Sequence, residues 1–127
     1  MTARLDVSYL LIALVYLVAG IMLGISMGIM EDFRYMHLHA HINLVGFVSH
    51  GFFGFTHRLF PSLRMSSLAV PQFWITVIGT PVFLFGLPLA QYHAQPIFAI
   101  VGSLTVLVGV VLFLVMFINK VARNAAA

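Results

Sequence analysis

Long apolar segments alternate with short polar stretches along the chain. No Asp, Glu, Lys or Arg occurs in residues 7–30, and after a short charged stretch a second apolar segment covers about residues 38–60. A helix needs about 20 mostly apolar residues to cross about 30 Å of hydrocarbon. These two segments therefore predict two membrane-spanning helices, at residues 8–30 and 38–60.

A third apolar segment is too long for one helix. Residues 65–119 contain no Asp, Glu, Lys or Arg, and the stretch 88–96 divides them, with a proline at each edge. Proline suits the end of one helix and the start of the next. The polar residues at the centre of this stretch are Gln91, Tyr92, His93 and Gln95. We therefore predict helices at 70–90 and 96–119, joined by a loop at 91–95.

Composition places the predicted helices in a membrane. The hydrophobic fraction is 62% and the charged fraction is 7%, against roughly 45–50% and roughly 25% in soluble proteins. So few charges exclude a water-facing surface and a nucleic-acid-binding face. The chain also has no Cys, which excludes disulfides, thiolate metal sites and iron–sulfur clusters. We predict an all-α membrane protein, a four-transmembrane-helix antiparallel bundle that forms a single domain over residues 1–127.

The basic residues predict which side of the membrane each loop faces. One side of the bundle carries five of them, and the other carries only Arg34, beside two acidic residues. The five on one side are Arg4, Arg58, Arg64, Lys120 and Arg123. Because cytoplasmic loops are rich in Lys and Arg, we expect both termini to be cytoplasmic and loops 31–37 and 91–95 to face outward. Tyr9 is then expected near the cytoplasmic boundary as an interfacial aromatic residue.

Glycine recurs every fourth residue in the first predicted helix, at Gly20, Gly24 and Gly28. A stripe of small residues allows two helices in a membrane to approach closely. The stripe fits packing within the chain and it also fits a contact between copies, and the sequence leaves both open. Because four helices enclose little interior shielded from lipid, we expect a homo-oligomer formed through this face.

Histidine is the most informative residue type in the sequence. Five of the six His lie in the second predicted helix or just before it. An ionisable group at bilayer depth is costly without a partner, so it indicates a functional site. At about 100° per residue, His39, His50 and His57 share one face of the helix. His41 points to the opposite side, with His37 near it, so two opposite faces carry imidazole.

A bound heme would account for this arrangement. Six-coordinate heme iron takes two axial ligands from opposite directions, and two His are a common pair. His39 or His41 at the start of a helix, together with His93 in the third loop, would supply them from the outward side. The residues expected at the depth of the heme propionates are Arg34, Tyr35, Gln91, Tyr92 and Gln95. His50 is either a ligand, a support for one or a packing residue, whereas His57 fits packing.

The segment HAHINLVGFVSHGFFGFTHRLFP, residues 39–61, resembles one helix of the catalytic subunit of heme–copper oxidases. It looks most like the cbb-type oxidases and the related nitric oxide reductases. The resemblance implies that His39 ligates a high-spin heme and His41 a low-spin heme, in a bacterial inner (cytoplasmic) membrane. A second His-rich helix is absent from the sequence, which implies a stand-alone relative without a complete binuclear centre.

The sequence therefore predicts a membrane-embedded b-type heme protein with one or two hemes, which serves electron transfer or responds to heme or a redox gas. Its first-choice axial ligands are His41 and His93, with His39 third, and a redox partner is expected. No hydrolytic triad is predicted, because no Asp or Glu lies within a predicted span. Any enzyme activity would be that of an oxidoreductase.

Two other functions fit the same residues. A transporter or sensor of a transition metal, most simply copper, would take the metal through the outward cluster of His37, His39, His41 and His93. Thioether sulfur and imidazole together suit Cu(I), and Met30 and Met36 lie near this cluster. The third function is an accessory subunit of a terminal oxidase.

Overall fold

The computed structural model describes residues 4–125, which form helices joined by short connections, with no β-strand among them. Helix α1 comprises Leu5–Met30, α2 residues 36–59, α3 Ala69–His93 and α4 Ile97–Ala122, which one further turn follows at Arg123–Ala125. A short 3-10 helix, Pro61–Met65, joins α2 to α3. All four predicted helices are present, with bounds a few residues from those predicted.

Three of these helices, α1, α3 and α4, are long and apolar enough to cross a membrane. Helix α2 is less apolar because it carries five His and one Asn. Large apolar side chains such as Leu11, Val15 and Phe85 are mostly exposed on the outside of the bundle. An apolar exterior of this extent is unfavourable in water and suits lipid. The structure therefore indicates a membrane protein.

The connection between α3 and α4 is shorter than predicted. Helix α3 continues through Pro88, and the connection comprises only residues 94–96. Ala94 ends the helix in the left-handed conformation, with φ of 52°. The prediction of a loop from residue 91 was wrong, because α3 continues to His93. Pro88 does not end the helix, since neighbouring groups in a membrane bundle can compensate for the hydrogen bond that proline does not donate. The residues that belong to the last turn of α3 instead of a loop are Gln91, Tyr92 and His93.

The helices pack as two pairs, α1 with α2 and α3 with α4. The contact between α3 and α4 is the more extensive, because glycines bring the two backbones together. A Cβ added at Gly86 would overlap the backbone of Ala99, and one added at Gly102 would overlap the backbone of Phe83. The pair of α1 and α2 is held by the interactions of α2 histidines described below.

The two pairs meet in an apolar core at one end of the bundle. Its buried members come from all four helices and the 3-10 helix and are Leu5, Tyr9, Phe53, Leu63, Ala69, Phe73, Phe113 and Met116. At this end the Ser62 hydroxyl donates to the carbonyl of Lys120 at 3.3 Å, and Phe60 packs edge-on against Phe117. The start of α1 and the ends of α2 and α4 therefore lie together. We call this the termini end and the opposite one the loop end.

Candidate functional site

One face of α2 packs against α1 and carries three of its histidines. The Nδ1 atom of His39 lies 2.9 Å from the carbonyl oxygen of Gly20. His50 lies beside Tyr9, with ring centroids 5.8 Å apart. His57 stacks on the same Tyr9 ring at 5.8 Å, with an interplanar angle of 16°. The three histidines predicted to share a face of the helix do share it.

The opposite face of α2 carries His41 and His37, as expected from the helical spacing. The Nδ1 atom of His41 lies 2.7 Å from the carbonyl oxygen of His37, and its ring packs edge-on against Phe83 of α3 at 5.3 Å. An open cavity of about 510 Å³ lies between α2 and α3 and is lined by His37, His41, Leu87, Ala90 and Gln91. We call this cavity the His41 cleft. Its volume lies within the roughly 300–1,000 Å³ of small-molecule sites.

Backbone hydrogen bonds fix the tautomer of three α2 histidines. His39, His41 and His50 each place Nδ1 against a backbone carbonyl, and for His50 the distance to the Val45 oxygen is 3.1 Å. A carbonyl oxygen only accepts, so Nδ1 must carry the proton and donate it. Each ring therefore keeps a lone pair on Nε2. A carbonyl at Nδ1 and a free Nε2 are typical of metal-binding histidines.

Of these three rings, only His41 lines the cleft. The Nε2 atom of His50 is buried and has no hydrogen-bond partner. His39 is packed on α1 so closely that a Cβ added at Gly24 would lie 2.9 Å from its Cε1. The Asn43 side chain packs as closely against Gly20, where an added Cβ would lie 2.6 Å from Oδ1 of Asn43. At Gly28 none of the described residues lies within 4 Å of an added Cβ. Two of the three glycines of the predicted stripe thus serve packing within the chain.

Helix α2 changes its hydrogen-bonding pattern between His41 and His50. Residues Ile42–Val48 form a π-helical segment. The Ser49 hydroxyl donates to the carbonyl of Leu44, five residues earlier, at 3.0 Å. Such segments are rare in helices and are frequent at functional sites. No pattern in the sequence predicts this one.

The predicted ligand His93 lies on the last turn of α3, away from the cleft. It is exposed and has no hydrogen bond or ring contact with another described residue. Because it follows the cleft residue Gln91 by two positions, it points about 200° around the helix from it. The structure does not bring His93 to His41. Within residues 4–125, no group of three or more His, Cys, Asp or Glu is placed to hold a metal ion.

The residues predicted to meet the propionates lie at the loop end. The Tyr92 hydroxyl donates to the carbonyl of Arg34, and Tyr35 packs edge-on against Tyr92 at 5.7 Å. The Arg34 side chain is exposed, and its Nε lies 2.7 Å from the carboxylate of Asp32. Hydrogen bonds from Arg34 hold the pKa of Asp32 below its ordinary value. Arg34 is therefore paired within its own loop.

A second polar region is buried among the helices toward the termini end. The Tyr9 hydroxyl donates to Oε1 of Gln72 at 2.6 Å and lies 3.1 Å from the hydroxyl of Thr76. The Gln72 amide donates to the carbonyl of Gly109 on α4 at 3.3 Å. The expectation that Tyr9 is interfacial was wrong, since these partners satisfy its hydroxyl inside the bundle. Tyr9 links α1 to α3.

Asp6 lies in the first turn of α1 and is buried. Its Oδ2 atom is 3.3 Å from Arg58 and 3.5 Å from Arg64, whereas its Oδ1 atom has no hydrogen-bond partner. The first helix starts earlier than the predicted residue 8, so it includes this acid. Asp6 therefore lies within α1 although it lies outside the predicted span.

Several buried polar atoms of this region have no hydrogen-bond partner. They are Oδ1 of Asp6, Nε2 of His50, both ring nitrogens of His57 and Oγ1 of Thr80. We call these four residues, together with Tyr9, Gln72 and Thr76, the polar interior. Its three α3 members are not predicted from the sequence. Their spacing of four residues, which places them on one helix face, was the available signal.

No protein-family model, curated protein or solved structure matches this chain. Its function must therefore be inferred from the residues of the site.

Proposed function

We propose that this chain is a membrane-embedded b-type heme-binding protein that transfers electrons, with His41 as an axial ligand. The observation that carries the proposal is the position of the His41 ring. Its Nδ1 is held by the His37 carbonyl at 2.7 Å, and it lines a cavity of about 510 Å³ between α2 and α3.

The residues of the His41 cleft suit a porphyrin. Imidazole nitrogen is the usual axial ligand of b-type heme iron, and the bound Nδ1 leaves Nε2 of His41 as that donor. Phe83, Leu87 and Ala90 offer apolar surface beside the ring. A heme held here would supply reversible one-electron chemistry, which is the chemistry of the cofactor itself.

The chain contributes the orientation and the surroundings of the ligand. The hydrogen bond to the His37 carbonyl fixes the His41 ring and increases the electron donation of its Nε2. The apolar residues of the cleft would lower the dielectric beside a bound heme, which changes its redox potential. His39 packs on α1 glycines and lines no cleft. The proposal therefore assigns one heme to each chain.

The second axial ligand is proposed to come from another copy of the chain. The lining of the cleft includes no imidazole from α3, whereas His93 is exposed and makes no hydrogen bond or ring contact with another described residue. A homo-oligomer that brings His93 of one copy to His41 of another would complete the site. The proposal places this oligomer in a bacterial inner membrane, where a redox partner exchanges electrons with it. The resemblance to the heme–copper oxidase helix supports this location.

The heme content of the purified protein tests the proposal. Full-length protein made in heme-replete bacteria is expected to give a b-type pyridine hemochrome, and His41→Ala is expected to lose it. Ser103→Ala is a suitable control, because Ser103 lies on the outside of α4 and bonds only to its own helix. A colourless wild-type protein would overturn the proposal. Tightly bound copper without porphyrin would instead favour the transition-metal transporter.

A further inference from the structure

We infer that this bundle also conducts protons, along a path formed by Asp6, His57 and His50 at the contact between α1 and α2. The path starts at the termini end and continues past His50 toward the loop end. The inference does not depend on heme, since none of these residues lines the His41 cleft.

The first observation is that the buried imidazoles have unmet hydrogen-bonding capacity. His57 is 0% and His50 1% exposed, yet Nε2 of His50 and both ring nitrogens of His57 have no partner. A neutral imidazole has one N–H donor and one lone pair, so His57 offers both with no protein group to meet them. Buried polar groups nearly always have a partner. Water is the smallest molecule that can serve both as donor and as acceptor here.

The second observation is that polar side chains continue along the whole contact between α1 and α2. The ring of Tyr9 lies 5.8 Å from both His57 and His50, and Tyr16 lies 5.6 Å from His50. Nearer the loop end, the Asn43 amide donates to the carbonyl of His39 at 2.9 Å. From the termini end, the order is Asp6, His57, Tyr9, His50, Tyr16, Asn43 and His39.

Among the described residues, the charged side chains that contact the buried members of the path lie at its entrance. Arg58 and Arg64 both pair with Oδ2 of Asp6, which leaves Oδ1 unpartnered beside the start of α1. Helix α3 contributes polar but uncharged side chains, which are Gln72, Thr76 and Thr80. Helix α4 contributes Phe113, whose ring packs edge-on against His57 at 5.8 Å. An excess proton inside the path would therefore reside on an imidazole.

The surroundings of His57 favour protons over metal ions. Tyr9 stacks on its ring, Phe113 packs edge-on against it, and the charged side chains that act on it are Arg64 and Asp6. Within the described residues, no group of three or more His, Cys, Asp or Glu could replace the water shell of a metal ion. A proton needs only one lone pair and a neighbouring water.

Each transfer step conserves protons and forms no bond other than O–H or N–H. Water at the termini end delivers a proton to Oδ1 of Asp6, which passes it through water to the lone pair of His57. The imidazolium then releases the proton on its other ring nitrogen to the next water. At His50 the Nδ1 proton stays on Nδ1, where it is donated to the Val45 carbonyl, so Nε2 both accepts the proton and releases it. The proton then leaves through water toward Tyr16 and Asn43.

Proton flux into liposomes tests the inference. The full-length protein is reconstituted with a potassium gradient, valinomycin sets a membrane potential, and an enclosed pH-sensitive dye reports proton entry. We expect a flux above that of protein-free liposomes, which His57→Phe and His50→Phe each reduce to the protein-free level and Ser103→Ala retains. A wild-type flux equal to that of protein-free liposomes would overturn the inference. A wild-type flux that both Phe variants retain would overturn it as well.

A second measurement uses only the wild-type protein, in case the Phe variants fail to fold. Deuterium exchange at the ring Cε1 of each histidine, followed by mass spectrometry in lipid nanodiscs, reports whether water reaches it. We expect His50 and His57 to exchange, with exposed His93 as the internal reference. Exchange at His93 alone would show a dry interior and overturn the inference. Exchange at all three without proton flux would overturn it too, because water would enter without conduction.

Discussion

Three imidazoles on α2 make the same type of hydrogen bond and yet have different surroundings. His39, His41 and His50 all donate from Nδ1 to a backbone carbonyl, so they share one tautomer. What differs is what lies beside the ring: the closely packed α1 glycines for His39, an open cleft for His41 and the buried ring of Tyr9 for His50. The role of each histidine therefore depends on the side chains and backbone beside its ring.

At the same scale, the Tyr9 hydroxyl is expected to stabilise the fold. Tyr9→Phe removes the hydrogen bonds to Gln72 and Thr76 and leaves the buried Gln72 oxygen without its donor. The free energy of unfolding should fall by about 1 kcal/mol, measured by thermal or denaturant unfolding in detergent. Tyr16→Phe is the matched control, because the Tyr16 hydroxyl makes no hydrogen bond to a described residue. Equal stability of the two variants would contradict this role of Tyr9.

At the scale of the helix, charge and proline positions predicted the fold unevenly. The end of α1 and both ends of α2 follow from charges or a proline that interrupt apolar runs, so the sequence locates them well. The start of α1 does not, because the helix begins before Asp6. The stretch 88–96 led the prediction to begin the loop three residues too early, because whether a proline ends a membrane helix depends on its neighbours. The π segment Ile42–Val48 escaped prediction for a similar reason. It depends on how α2 packs against α1, and the helical period of the sequence gives no information on that packing.

The glycines of α1 are expected to differ in their tolerance of a methyl group. A Cβ at Gly24 would lie 2.9 Å from the His39 ring, whereas none of the described residues lies within 4 Å of one at Gly28. Gly24→Ala should therefore destabilise the α1–α2 pair by about 1–3 kcal/mol. Gly28→Ala should be neutral or stabilising, because Ala favours the helix by up to about 1 kcal/mol. Thermal unfolding of both variants in detergent decides between these outcomes.

A larger substitution at Gly28 tests the predicted oligomer face. If Gly28→Leu dissociates an oligomer while leaving the monomer folded, then the open end of the glycine stripe is a contact between copies. If the oligomer persists, the stripe serves only packing within the chain. Light scattering in detergent measures the outcome.

At the scale of the whole molecule, the candidate site was predicted in part. The two histidine faces of α2 follow from the helical period, and the structure contains both. His93 was expected in a loop opposite His41, but it belongs to a helical turn that points elsewhere. The polar interior escaped prediction because its members are distant in sequence: Tyr9 and Gln72 meet only once α1 and α3 pack together. Such contacts depend on the assembled bundle.

The heme proposal implies that one site is shared between two copies. His41→Ala and His93→Ala variants with different affinity tags are each expected to bind no bis-imidazole heme alone. Co-expressed and purified through both tags, they should recover heme, because each mixed dimer retains one site with both imidazoles. Optical spectra and heme content per chain provide the measurement. If His93→Ala has the heme spectrum and heme content of the wild-type protein, the shared site is contradicted. The role of His41 as a ligand is not affected by that result.

Whether α2 crosses the membrane decides how the whole bundle sits in it. Its five His make it less apolar than its neighbours, yet it directs His39, His50 and His57 toward α1 and away from lipid. Neutral imidazoles buried in this way avoid the roughly 2.5–3.5 kcal/mol that a charged side chain costs at the centre of a spanning helix. We therefore expect α2 to cross, with the loop end outside the cell membrane and the termini end in the cytoplasm.

Single cysteines test this topology without background, since the chain has no Cys. Glu31→Cys and Ser67→Cys place exposed thiols at the loop end and the termini end. A membrane-impermeant maleimide should label the first in intact spheroplasts and the second only after lysis, because α2 separates them. Labelling of both before lysis would mean that α2 does not cross. Labelling of Ser67→Cys alone would mean that the bundle is inverted and that its basic residues do not set its orientation.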